Sequence, residues 1–176
     1  MTTSAPIGHG KEMWMHLFTF RLAGRLFGVD IHDVKEVVQD VALTPVSHAP
    51  PAVSGLVAIR GQIHLIVDLR VIFGFDQEPP SKDSRLVLFR AAVDEPFGIL
   101  VDATDAVRVI ATAEIVDRRR RQDRPPAAVG DRRRSAPDIG IGVCPLDEGL
   151  IVILHARGIL GALARAPATR PDPHGS

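Results

Sequence analysis

The sequence predicts an all-β fold, either a sandwich or a pair of small barrels, and three observations carry that prediction. Short runs rich in β-branched and aromatic residues recur along the chain, Gly- and Pro-bearing turns punctuate them, and no long pattern of helical period intervenes. At 176 residues, 45% hydrophobic and 24% charged, the chain has the length and balance of one globular domain or of two small lobes sharing an interface.

The first element is a strand from His16 to Leu22, where Phe18, Phe20 and Leu22 alternate with Thr19 and Arg21 in the period of two that a half-buried strand requires. Ala23-Gly24-Arg25 turns the chain, and the apolar run Leu26 to Ile31 is short enough to pair back as a hairpin. Asp33 to Val38 reads either as a single helical turn or as a further strand start. Pro45, Pro50 and Pro51 mark a loop. Beyond it, Val53 to Ile59 and Ile63 to Leu69 form a second hairpin around Arg60-Gly61-Gln62. A short helical turn over Leu69 to Phe73 ends at Gly74, and Glu78-Pro79-Pro80-Ser81 reads as a break between two halves.

The strand pattern then begins again. Arg85 to Ala91 and Phe97 to Val101 flank the turn Asp94-Glu95-Pro96, and Ala106 to Ile110 adds another strand. Glu114 to Pro137 lacks apolar periodicity and reads as a long exposed loop. Ile139 to Cys144 and Leu150 to Leu154 make a last hairpin across Leu146-Asp147-Glu148-Gly149, and Ala156 to Arg165 reads as a closing helix. Residues 1–14 and 166–176 read as loose tails around a single folded unit, 15–165.

Twenty-one basic residues balance 21 acidic ones, yet Arg118 to Arg134 holds eight arginines against Asp123 and Asp131 alone. The zero net charge therefore hides a basic patch on a mildly acidic body, which is not the footprint of a basic nucleic-acid-binding domain. The arginines have no aromatic residue interleaved for base stacking, so a solvated loop is the favoured reading; a small β-barrel nucleic-acid-binding module is the alternative. The one cysteine, Cys144, excludes an intrachain disulfide and any multi-cysteine zinc site. Neither a signal-peptide pattern over Met1 to Trp14 nor an uninterrupted apolar span is present, and the expectation is a cytoplasmic protein without direct membrane insertion.

Catalytic and metal chemistry find little support. His32, His48, His64 and His155 form no helical i, i+4 pair and have no Cys or Glu at ligand spacing. Cys144, His155 and Asp147 supply the residue types of a nucleophilic triad, but no oxyanion turn accompanies them. No phosphate-binding glycine loop or kinase motif occurs, so neither an enzyme nor a cofactor is expected.

The segment VAIRGQIHLIVDLR, Val57 to Arg70, resembles the most characteristic stretch of CheW-like coupling proteins. FTFRLAGRLFGVDIHDVKEV resembles that family's opening hairpin, APPAVSGL its approach to the third strand, PFGILVDATDAVRVI a later strand pair, and GVCPLDEGLIVILHARGIL its closing hairpin and helix. Together these motifs span His16 to Leu163. The resemblance implies two SH3-like five-stranded β-barrels packed side by side, with a groove for the cytoplasmic tip of a methyl-accepting chemoreceptor. It further implies docking on the regulatory domain of a CheA-type histidine kinase, in a non-enzymatic adaptor held at membrane-associated receptor arrays through its partners.

On that resemblance the partner-binding positions are Val34, Gly55 and Arg60. Arg60 sits at a hairpin tip, where its guanidinium can reach a carboxylate in a bidentate fork or simply remain a solvated turn residue. Val34 is either core or a partly exposed apolar spot among His32, Asp33, Lys35 and Glu36. Gly55 suits permissive dihedrals at a strand start, or the close approach of a partner backbone. Asp68 and Arg70, two apart on a strand and so facing the same side, suit a local ion pair or an interface contact equally, and are read as structural. Three departures from the family pattern stand out: Leu65 in place of a usual proline, His155 where Asp or Asn is common, and the basic insert.

Overall fold

The computed structural model describes residues 13–90, 95–117 and 139–165. Strands β1 (Trp14–Leu22) and β2 (Arg25–Asp30) form the first hairpin. Its turn residues Ala23 and Gly24 have φ of 50° and 72°, the pair of positive values that matches a two-residue turn to strand twist. A 3-10 turn, Ile31–Asp33, leads into β3 (Val34–Val38), so helical turn and strand both occur there. The hairpin β4 (Val53–Ile59) and β5 (Gln62–Asp68) follows, with Arg60 and Gly61 at φ of 51° and 77°.

Helix α1 (Leu69–Phe73) begins where the Asp68 carboxylate accepts from the Arg70 amide at 2.8 Å, and it ends at the left-handed Gly74. Next come β6 (Arg85–Phe89), β7 (Phe97–Val101), β8 (Ala103–Thr104), β9 (Arg108–Ala111) and β10 (Val116–Asp117). The last hairpin joins β11 (Gly140–Leu146) to β12 (Gly149–Leu154), and α2 (Ala156–Arg165) closes the fold.

The strands form two sheets, one ordered β3-β6-β7-β5-β4, the other β10-β11-β12-β2-β1 with β8 and β9 both paired to β1. Their membership corrects the expected break at Glu78-Ser81. β6 and β7, beyond that break, join the first sheet, whereas β1 pairs with the later β8 and β9, and β2 runs parallel to β12. Alternation explains the exchange. In β6, Leu86 and Leu88 face the interior of the first lobe, while Val87 and Phe89 enter a larger core shared with Phe20, Phe27, Leu154 and Ile159. Strands buried on both faces read as continuous apolar runs, which carry no mark of the sheet they join.

Two further expectations change. Val116–Asp117, placed in the exposed loop, is a strand paired with Val143 and Gly142, too short to show a period. Residues 118–137 of that loop, including Arg118 to Arg134, lie outside the described residues, as do 1–12 and 166–176. Trp14, assigned to the tail, opens β1 opposite Ala111.

The two lobes repeat one unit at an offset of 87 residues: Gly55 corresponds to Gly142, His64 to Ile151 and Asp68 to His155. Each unit carries a bulge at its first strand, a two-residue turn and a following helix. Each glycine lies under a carbonyl, and a Cβ would stand 2.7 Å from the Thr44 oxygen at Gly55 and 2.6 Å from the Val116 oxygen at Gly142. His155 takes the capping role of Asp68, its Nδ1 accepting from the Arg157 amide at 3.2 Å. Leu65 likewise supplies what proline lacks, its amide donating to the Pro96 carbonyl at 3.0 Å.

Candidate partner-docking site

Two of the three expected residues share one corner of the first lobe. Val34 starts β3, half-buried and paired with Phe89. A bulge between Val34 and Glu36 follows, and Glu36 is the residue Arg60 reaches. Arg60 Nε donates to Glu36 Oε2 at 3.2 Å and Nη2 to Oε1 at 2.9 Å. The fork expected of Arg60 is thus filled from within the chain, although its side chain remains 78% exposed. Beside it, Lys35 Nζ donates to Gln62 Oε1 at 2.7 Å. The Arg60 hydrogen bond holds the Glu36 carboxyl below its ordinary range.

These two bridges tie β3 to the tip of the β4–β5 hairpin. They join edges of the first sheet that share no ladder, so the corner is a seam. Five residues back along β4, Gly55 lies buried with φ of 149°, and the chain that crosses it is its own Thr44 segment. The structure therefore accounts for Gly55 through closure of the lobe and places it apart from the Val34–Arg60 corner.

Along the seam runs a shallow groove lined by Lys35, Gln62, Phe89, Arg90 and Pro96. Lys35, Glu36 and Gln62 escape a reading of single residues because their complementarity to one another depends on which strand edges meet. Asp68 and Arg70 are structural, in a different pairing from the one expected. Arg70 belongs to α1, its side chain is 6% exposed, and it bonds Asp102 at 2.6 Å, Glu78 at 3.3 Å and the Asp76 carbonyl at 2.9 Å. Asp68 caps α1 instead, and desolvation raises its pKa.

The imagined nucleophilic set does not converge. Cys144 is fully buried in the second lobe opposite Ile151, where burial raises its thiol pKa, whereas His155 caps α2. Among the described residues, no group of three or more His, Cys, Asp or Glu side chains is placed to hold a metal ion, and no helix is long and apolar enough to cross a membrane.

The model of the CheW-like domain matches residues 16–164. The chain belongs to the CheW-like family. It is 25% identical to a chemotaxis protein CheW of Helicobacter pylori over 151 residues, 85% of this chain and 84% of that one. It is 33% identical to a chemotaxis protein CheW of Treponema pallidum over 101 residues, 56% of this chain and 58% of that one. The crystal structure of the scaffolding protein TtCheW from Thermoanaerobacter tengcongensis superposes with a TM-score of 0.65 at 31% identity, covering 81% of this chain and 89% of that one. CheW-like proteins are non-enzymatic scaffolds of chemotaxis, and the two-lobed β fold is the family's.

Proposed function

We propose that this CheW-like chain couples the cytoplasmic tips of methyl-accepting chemoreceptors to the regulatory domain of a CheA-type histidine kinase, and that the Val34–Arg60 corner contributes to that docking. One observation carries the assignment of the corner: Arg60 is both largely exposed and held in a two-point fork by Glu36, on a tight turn beside the half-buried Val34. A guanidinium already fixed in place loses little freedom on binding, and an apolar spot with a polar rim has the make-up of an interface. In this reading the protein works in the cytoplasm at receptor arrays, held there by its partners, and adds no chemistry of its own.

The test is reconstitution of receptor-controlled kinase autophosphorylation with and without the purified chain. Ligand control that requires the chain supports coupling. Control that is identical in its absence, with partners that otherwise respond, would overturn it.

A further inference from the structure

In the interior of the first lobe His64 is 1% exposed, and neither ring nitrogen has a hydrogen-bond partner in the protein. Its counterpart in the repeated unit is Ile151, a fully buried core residue. An imidazole thus occupies a site built for hydrocarbon. It stands opposite Val57 on β4 and points to the same side of β5 as Gln62. The charged groups facing it are Lys35 and Glu36 on β3, and Arg60 reaches Glu36 from the tip.

We propose that His64 is a proton-operated release for the seam between β3 and the β4–β5 tip: when the imidazole takes up a proton from solvent, the Lys35–Gln62 and Glu36–Arg60 bridges part and water reaches the ring. A buried imidazolium without an acceptor must find water or a carboxylate. The two charged side chains that act on it, Lys35 and Glu36, are held in exposed polar bridges, which break far more cheaply than the ladders of β5 with β4 and β7. Opening is therefore local. The release is a property of the lobe and does not depend on what docks at the corner.

Desolvation is the main cause that pushes the ring pKa below its ordinary value; Lys35 adds to it and Glu36 opposes it. Unfolded, the ring returns to a pKa of about 6.5. Below that pH the folded chain holds fewer protons than the unfolded one. Stability contributed here therefore falls as pH falls through that window and is level above it.

The experiment follows the His64 ring and backbone amide signals of the full chain by NMR between about pH 7.5 and 5. Thermal melts of wild type and His64→Ile at the two ends of that range accompany it. The expected results are a His64 ring that titrates below its ordinary value, and amide signals of Lys35, Glu36, Arg60 and Gln62 that shift with the same midpoint. His64→Ile should remove more than half of the acid loss in melting temperature. A variant with the full acid loss of wild type would overturn the release, as would a ring titrating at its ordinary pKa with the seam amides unmoved. Should His64→Ile not fold, the wild-type ring and amide titrations decide alone.

Discussion

Thr44 and Leu56 exchange both backbone hydrogen bonds at 2.8 Å, and this isolated bridge joins the chain beyond β3 to β4 directly over Gly55. Closure of the lobe at this point depends on a missing Cβ. Gly55→Ala would set a methyl group 2.7 Å from the Thr44 oxygen at φ of 149°. It should cost about 2 kcal/mol or more in chemical denaturation. Gly61→Ala, also at positive φ but with open space around the added carbon, should cost about 1 kcal/mol. Equal losses would show that the Thr44 segment yields.

Arg70 and Asp102 link the lobes, because Asp102 also accepts from the Ala23 amide at 2.8 Å in the β1–β2 turn. Arg70→Met should lower stability by about 2 kcal/mol, a moderated buried-pair figure since the Asp102 side chain is 38% exposed. Arg70→Met combined with Asp102→Asn should cost clearly less than the sum of the two single changes. Additive losses in urea titrations would separate the two residues.

His155 as a helix cap makes a graded prediction. His155→Ala should destabilise by about 1 kcal/mol and His155→Asp should restore or exceed wild type, since Asp is the stronger cap and suits a helix N-terminus. Melting curves for the three proteins give the order directly. If the alanine variant melts with the wild type, the bond from the Arg157 amide contributes nothing.

The legible parts of the fold were those written in neighbouring residues. The β4–β5 hairpin, the α1 stop at Gly74 and the last hairpin with α2 each have a local signal, and each stands where expected. Sheet membership was hidden because the parallel pairs β12–β2 and β5–β7 join segments far apart in sequence. Runs such as RLVLF are apolar on both faces, so they fit either lobe. Arg60 could be singled out by its tip position, but its partner Glu36 could not, because nothing local records that β3 meets that tip. His64 looked like one histidine among seven until its repeat counterpart, Ile151, marked its site as apolar.

Reversing charge at Arg60 separates docking from folding. Arg60→Glu should leave the melting temperature nearly unchanged, because an exposed ion pair adds little stability. Binding to at least one partner should weaken by about 30-fold or more. Arg60→Glu combined with Glu36→Arg can re-form the fork with its charges exchanged. Restored binding in that double variant would assign the effect to the geometry of the seam, and continued loss would assign it to the guanidinium itself. Affinities within twofold of wild type for every variant would make Arg60 an ordinary turn residue.

Coupling requires one chain to hold two partners, and titration calorimetry of the wild-type protein against a CheA-type regulatory domain and against a chemoreceptor tip measures that requirement directly. The predicted result is saturable binding to each, with the second partner still binding when the first is saturating. Dilution heat alone with both partners, from protein shown to be folded, would contradict the assignment of this chain as a coupling scaffold.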